Sequence, residues 1–156
     1  MKVKEELYAQ CVTYVNKRLQ TVEEIISSNQ KALQSETKSS AGDKHETGRA
    51  MLQLEMEKAG QQLSGITKMK EILSKISIDK NSKIAHLGSV VKTSKASFFL
   101  SISSGQIMVN NEIYFAISVS SPIGRILLGK KTGDVFIFNN IQHWRSSAKC
   151  EIRGKS

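Results

Sequence analysis

Several residue types and patterns are scarce in this chain of 156 residues, and each scarcity excludes a class of protein. The two cysteines, Cys11 and Cys150, lie at opposite ends with neither metal-like nor redox-like spacing, so we expect free thiols without function. No apolar run is long enough to span a bilayer, and the charged N-terminus is not followed by an apolar stretch. The sequence therefore predicts a cytoplasmic protein with no membrane partner and no secretory signal.

Histidines and acidic residues are also few. His86 and His143 have no acidic or cysteine partner within a few positions, so a catalytic histidine has little support. The chain has 14 acidic and 23 basic residues, which gives a formal net charge of +9. Residues 1–77 carry a net charge of +2 and residues 78–156 carry +7. The positive second half suits an acidic protein partner or one that carries nucleic acid.

Two stretches with heptad spacing are the strongest positive feature of the sequence, and they predict an antiparallel coiled-coil hairpin over residues 1–77. The apolar ladder positions are Tyr8, Val12, Val15, Leu19, Val22, Ile26, Asn29 and Leu33, then Leu52, Met56, Ala59, Leu63, Ile66, Lys70 and Leu73. Pairing Leu33 with Leu52 and Val12 with Leu73 gives position numbers that sum to 85 in each pair. This constant register favours an intrachain hairpin, so we expect a monomer.

The apex of the predicted hairpin falls between Gly42 and Asp43. The first helix should end shortly after Leu33, because the following serines, threonine and glycine favour caps and turns. Asp43 is a good N-cap for the second helix, and Glu46 three residues later resembles the acidic partner of a capping box. Helix capping alone is therefore a sufficient structural explanation of this acidic pair.

The hydrophobic period changes after a polar linker at residues 78–86, from about 3.5 residues to about two. We expect strands at residues 88–93, 97–103, 106–109, 113–119 and 135–138. A short helix fits residues 122–128, with Ser121 as N-cap, the only proline at its first position and Gly129 at its end. The predicted fold class is thus α+β, with a hairpin followed by a small antiparallel β domain at residues 87–156.

Two segments resemble the bacterial Gre transcript-cleavage factors. The run Gly42-Asp43-Lys44-His45-Glu46, at the apex of a helical hairpin, is similar to the Gly-Asp-Leu-x-Glu-Asn tip motif of that family. The run from Ser121 to Asp134, which reads Ser-Pro-Ile-Gly-Arg-Ile-Leu-Leu-Gly-Lys-Lys-Thr-Gly-Asp, resembles the Ser-Pro segment of the family's C-terminal domain. With the matching layout, the resemblance covers most of residues 1–140 and implies an FKBP-like β domain.

The resemblance implies a transcription elongation factor that inserts its coiled coil into the secondary channel of RNA polymerase and stimulates cleavage of backtracked RNA. RNA 3′ ends and DNA would then be met only within the elongation complex. Two-metal hydrolysis of a phosphodiester needs a second Mg²⁺ and an oriented water. Asp43 would help to hold that metal jointly with the polymerase, and Glu46 would assist it or orient the water. The chain would have no active site or stably bound cofactor of its own. The polymerase-binding residues implied on the β domain are Pro122, Arg125, Lys130 and Lys131.

Two alternatives stay open. A non-cleaving regulator that occupies the same channel is favoured by the run Thr47-Gly48-Arg49-Ala50 after the acids, because Arg49 and Lys44 place positive charge beside them. A coiled-coil interaction module unrelated to the polymerase, or a prolyl isomerase, is the third possibility. No aromatic-lined pocket can be read from the sequence to support the isomerase.

Overall fold

The computed structural model describes residues 2–38, 43–80, 82–131, 133–136 and 148–153, with side chains for residues 3–35, 47–80, 82–131, 133, 134 and 136. Within these residues the fold is α+β, with two long N-terminal helices followed by a mixed sheet and a short helix. The helices are α1 (Lys2–Lys38), α2 (Asp43–Ser74) and α3 (Pro122–Leu127). The strands are β1 (Val90–Thr93), β2 (Ser97–Ser101), β3 (Gly105–Val109), β4 (Glu112–Ser118), β5 (Asp134–Phe136) and β6 (Ala148–Arg153).

The two long helices bury the heptad ladders. Every ladder position is buried or half-buried except Lys70, which is exposed. Helix α1 continues to Lys38, further than the composition after Leu33 predicts. Extending an existing helix by one residue adds a hydrogen bond at little entropic cost, so a few weak helix formers do not stop it. The heptad pattern therefore locates both helices correctly, whereas the residues after Leu33 predict an end of α1 that is too early.

The sheet is mixed, and the prediction of an antiparallel sheet was wrong. Its strand order is β3-β4-β2-β1-β6-β5. Strands β3 and β4 form an antiparallel hairpin through Asn110 and Asn111, whose φ angles of 52° and 65° suit the tight turn. Strand β4 then pairs with β2 in parallel, with Ser97 opposite Tyr114. Adjacent strands in the sequence need not be neighbours in the sheet, and local patterns do not report this order.

Each face of the sheet has its own buried layer. Phe99, Tyr114 and Ala116 share one face, and the start of α1 contacts that side of β2, where Cys11 Sγ lies 3.7 Å from Ser101 Oγ. The opposite face buries Val91, Phe98 and Leu100 against Leu127 of α3, together with Ala85 and Phe136. The short helix α3 therefore covers part of one face, and the base of the long hairpin lies on the other.

Strand β6 is not among the strands expected from the sequence. It pairs antiparallel with β1, placing Val91 opposite Ile152, and with β5, placing Val135 opposite Lys149. Backbone pairing on both sides sustains a strand whose sequence contains few β-forming residues. The strand is recognised from its pairing with β1 and β5 and not from its own sequence.

Contacts divide the chain into two compact units. The proximal unit comprises Met1–Thr13 and Glu71–Ser156, and the distal hairpin comprises Tyr14–Lys70. The domain limits predicted from the sequence, with a linker at residues 78–86, stay a prediction. Two residues of that segment make defined contacts within the proximal unit, since Lys80 O accepts a 3.0 Å hydrogen bond from Lys4 Nζ and Ala85 N donates to Lys130 O. Burial lowers the pKa of Lys4, and Asp79 partly opposes that shift. Among the described residues, no helix combines the length and apolar character needed to cross a membrane.

Candidate functional site

The acidic pair predicted at the hairpin apex falls on the first turn of α2. This helix begins at Asp43, and Glu46 lies three residues further along it. The connecting residues 39–42 and the side chains of residues 43–46 lie outside the described part of the structure. The helix start is confirmed, whereas the capping bonds and the use of the two carboxylates as metal ligands stay predictions.

The described side chains next to the acidic turn include a cation. Arg49 is half-buried at a heptad position, one turn after Glu46. Residues three apart on a helix are neighbours on its surface, so Arg49 occupies a position adjacent to that of Glu46 on α2. Met51, half a turn further, is 61% exposed. The first turns of α2 thus combine acidic, basic and apolar residues.

Asn29 is a buried polar residue in the seam of the hairpin. It is 7% exposed, and its Nδ2 has no hydrogen-bond partner among the described residues. A buried donor without a partner costs about 1–3 kcal/mol. A polar residue at one seam position specifies register at the expense of stability, and we expect this role for Asn29.

The Ser-Pro segment of the proximal unit forms the capped helix that its sequence predicts. Ser121 is the N-cap of α3, where its Oγ accepts from Gly124 N at 3.1 Å and donates to Ser118 O at 2.6 Å. Pro122 occupies the first turn, where a missing N–H has no cost. A Cβ on Gly124 would lie 2.1 Å from Ser118 O, so this position requires glycine.

Hydrogen bonds donated by backbone N–H groups also fix the C-terminal end of the segment. Gly129 has a φ of +83°, and its N–H donates to Ala85 O at 2.9 Å. Lys131 N donates to Asp134 Oδ2 at 2.8 Å, which closes the turn into β5. Ser121, Gly124, Gly129 and Asp134 therefore have structural roles that account for much of the motif.

The four residues predicted to bind a partner lie wholly or partly at the surface of this segment, whereas Leu127 is buried and Ile123 and Ile126 pack against the core. Pro122, Arg125 and Lys131 are exposed, and Lys130 is half-buried. They lie beside two exposed apolar side chains: Leu128 follows α3, and Ile84 forms an isolated β-bridge with Lys131. We call the set of Ile84, Pro122, Arg125, Leu128, Lys130 and Lys131 the α3 surface. The four residues already lie within ten positions of the sequence, and their partner-binding role stays a prediction; the structure adds Ile84 as a neighbour of Lys131.

A second apolar surface was also missed. Met108, Ile113 and Phe115 are 58%, 43% and 37% exposed, and the β3–β4 register places them on the same face. The Phe115 ring lies 6.1 Å from the buried Phe98 ring, measured between centroids. Phe115 is therefore partly exposed, although it lies on the same face of the sheet as the buried Phe98. Alternation along residues 113–116 was the available signal, but it does not show which face is covered.

The described histidine, cysteine and acidic side chains outside these surfaces give little support for a catalytic or metal site. Among the side chains described, no cluster of three histidine, cysteine or acidic residues could hold a metal. His86 Nδ1 lies 2.8 Å from Ser89 Oγ and 3.1 Å from Ile84 O, and both contacts are local. Burial raises the pKa of the Cys11 thiol, an effect that hydrogen bonds with Ser101 and Ser104 partly offset. A raised pKa leaves little thiolate, so Cys11 has the character of a structural residue.

No protein-family model matches this chain, and no curated protein matches it either. The functional assignment therefore depends on the residues and on the resemblance to the Gre factors.

Proposed function

We propose that this chain binds RNA polymerase, inserts its helical hairpin into the secondary channel and stimulates Mg²⁺-dependent cleavage of backtracked RNA. The observation that carries the proposal is the position of Asp43 and Glu46 on the first turn of α2, at the connection between two long paired helices. Helix α1 has 37 residues, which at 1.5 Å per residue gives a length of about 55 Å. Such a hairpin can carry an acidic turn into a deep channel.

The α3 surface supports the choice of a large protein partner. It combines two exposed apolar side chains, Ile84 and Leu128, with the cations Arg125 and Lys131. Charged residues around an exposed apolar centre are typical of protein interfaces rather than of small-molecule sites. We assign this surface to the rim of the polymerase channel, and Pro122 and Lys130 belong to the same contact.

The two acids would act only together with groups of the polymerase. Carboxylate oxygens suit Mg²⁺, which retains several waters and takes one or two carboxylates from a protein. Asp43 would hold the second metal, and Glu46 would assist it or orient the attacking water. The metal, when bound, supplies charge stabilisation and an activated water. Because both acids belong to the first turn of α2, the hairpin would present them together.

The test is RNA cleavage in stalled, backtracked elongation complexes of the cognate polymerase. We expect Mg²⁺-dependent shortening of the transcript with the native chain, and its loss with an Asp43→Asn, Glu46→Gln double variant that still binds. A Glu24→Gln, Glu57→Gln variant is the matched control, because it removes two exposed acids of the same hairpin away from the apex. Equal cleavage with native chain and acid-turn variant would contradict the role of the acids, and absence of polymerase binding would contradict the whole proposal.

A second candidate function is a channel-binding regulator that does not promote cleavage. Arg49 favours it, because a cation one turn from Glu46 opposes binding of a metal ion. Tight binding without shortening would select this function. Removing the cation in an Arg49→Ala variant should then allow cleavage to appear.

A further inference from the structure

The two flanks of the distal hairpin differ in charge and in apolar content. On one flank, which we call the acidic flank, the residues beside the seam include Glu23 and Glu57, and no lysine or arginine lies there among the described positions. Its members are Asn16, Gln20, Glu23, Ser27 and Gln30 of α1, and Gln53, Glu57, Gly60, Ser64 and Thr67 of α2. The opposite flank, the basic flank, comprises Tyr14, Arg18, Thr21 and Ile25 of α1, and Met51, Glu55, Lys58, Gln62 and Gly65 of α2. It therefore carries both cations and exposed apolar groups.

Two adjoining hollows open on the basic flank. The larger, of about 580 Å³, is lined by Tyr14, Lys17, Arg18, Thr21, Val22, Ile25 and Gln62. The smaller, of about 270 Å³, is lined by Ile25, Glu55, Lys58, Ala59 and Gln62. Ile25 lines both and is 39% exposed. The hollows thus form one continuous groove with an apolar floor and three cations at its edges.

Glycine leaves the backbone of α2 bare on this flank. Apart from its chain neighbours and the backbone of its own helical turns, a Cβ on Gly65 would meet no atom within 4 Å, so packing within the hairpin does not require glycine there. Because glycine has no side chain, Gly65 permits close approach of another backbone to α2 beside the groove. Gly60 is equally open but lies on the acidic flank, which makes it a matched control position.

We propose that the basic flank is a docking groove for an acidic amphipathic α-helix of a partner protein. The apolar face of that helix would lie on Ile25 and Val22, its backbone would approach α2 at Gly65, and its carboxylates would meet Lys17, Arg18 and Lys58. Charge complementarity selects the acidic partner, since the lining of the groove contains three cations and one acid. The Arg18 guanidinium lies over the Tyr14 ring, 5.5 Å from its centroid, so this aromatic face is covered by a cation and not open for a nucleic-acid base.

The proposal rests on the proposed function, in which the partner helix belongs to RNA polymerase. The test measures the affinity of core polymerase for Gly65→Gln and Gly60→Gln variants of the full chain. Glutamine is the better helix former, so both variants should melt no lower than the native chain. We expect Gly65→Gln to weaken binding about tenfold, equivalent to about 1.4 kcal/mol, and Gly60→Gln to leave it within about twofold.

Charge reversal and crosslinking complete the test. Lys58→Glu should weaken binding and flatten its salt dependence, whereas Glu57→Lys on the neighbouring residue should not weaken it. A photo-crosslinking residue at Thr21 should mark an acidic helix of the polymerase. Crosslinks to RNA or to a second copy, or equal affinity of the native chain and both glycine variants, would overturn the groove assignment while leaving the proposed function intact. Failure of the native chain to bind polymerase would instead remove the proposed function, and with it this partner.

Discussion

The proximal unit and the distal hairpin use the same helices in different ways. In the proximal unit, Leu7 and Cys11 of α1 and Phe99 and Leu100 of β2 are completely buried. In the distal hairpin, the buried residues that the structure describes all lie in the seam, namely Val15, Val22, Asn29, Ala59 and Ile66, with between 1% and 7% exposure. Even that seam contains Asn29, whose Nδ2 has no partner among the described residues.

This difference indicates where stability and recognition lie. Two helices alone can bury only one narrow stripe each, so the other faces stay open to solvent or to a partner. A sheet with a helix on one face and a helical base on the other can bury whole side chains on both faces. We therefore expect the proximal unit to provide most of the stability and the distal hairpin most of the surface for recognition.

The largest effect should come from truncating the core of the proximal unit. Phe99→Ala removes a completely buried ring and should lower the free energy of unfolding by about 3–5 kcal/mol. Phe115→Ala is the matched control, because its ring lies on a neighbouring strand but is 37% exposed. Chemical denaturation measures both. Equal losses would show that burial does not distinguish these positions.

The buried amide of the hairpin seam should act in the opposite direction. Asn29→Leu replaces an unpaired donor with an apolar group and should raise the free energy of unfolding by about 1–3 kcal/mol. Loss of the polar residue also removes a constraint on register, so crosslinks between α1 and α2 should become less specific. Asn16→Leu, at an exposed position, should change stability little. A destabilised Asn29→Leu variant would contradict the missing hydrogen bond.

The glycines of the two units should respond to alanine with opposite signs. Gly60→Ala should raise the free energy of unfolding by about 0.5–1 kcal/mol, because nothing crowds that position in the distal hairpin. Gly88→Ala should be destabilising, because Gly88 has a φ of +94° and a Cβ there would lie 2.9 Å from Ile76 Cγ2. Thermal melting of the two variants measures the contrast, and a stabilised Gly88→Ala variant would contradict it.

The smallest expected effect is the pH dependence contributed by Cys11. Burial raises the pKa of this thiol in the folded state above its ordinary value of 9.0. Below pH 9.0 the thiol is protonated in both states, so it adds no slope. Above pH 9.0 the unfolded chain loses this proton first, so the folded state binds more protons and its stability falls as pH rises.

Native and Cys11→Ala chains should therefore converge in stability as pH increases above 9.0, when unfolding is followed by denaturation. Thiol labelling gives a second measurement. In a Cys150→Ser background, labelling of Cys11 should proceed only as fast as local or global opening allows. Rapid labelling of the folded chain would show that the base of α1 opens more readily than its burial indicates.

Local sequence signals predicted much of this fold. The strands β1 to β5 and helix α3 begin within two residues of their expected starts, because turn residues such as Asn110 and Gly129 interrupt the alternating pattern. The parallel pairing of β2 with β4 was not predictable in this way, since it joins segments that β3 separates. Strand β6 was missed for the same reason, because its partners β1 and β5 supply what its sequence does not.

The candidate sites show the same division. The sequence predicted an acidic turn at the start of α2, and the resemblance implied partner-binding residues at Pro122, Arg125, Lys130 and Lys131, because both segments have distinctive local patterns. It could not show that Ile84 forms a β-bridge with Lys131, or that Phe115 stays partly exposed on the sheet. These neighbours are far apart along the chain.

By itself, the sequence determined the helical seam, the acidic pair on the first turn of α2 and the capped helix at Ser121, because periodicity and capping act over a few residues. Only the tertiary structure decided the order of the strands, which aromatic rings are covered, and that one flank of the hairpin is a groove with cations at its edges. The physical reason is that burial and charge at a surface depend on which distant segments pack together, and heptad spacing specifies the seam without specifying what lies beside it.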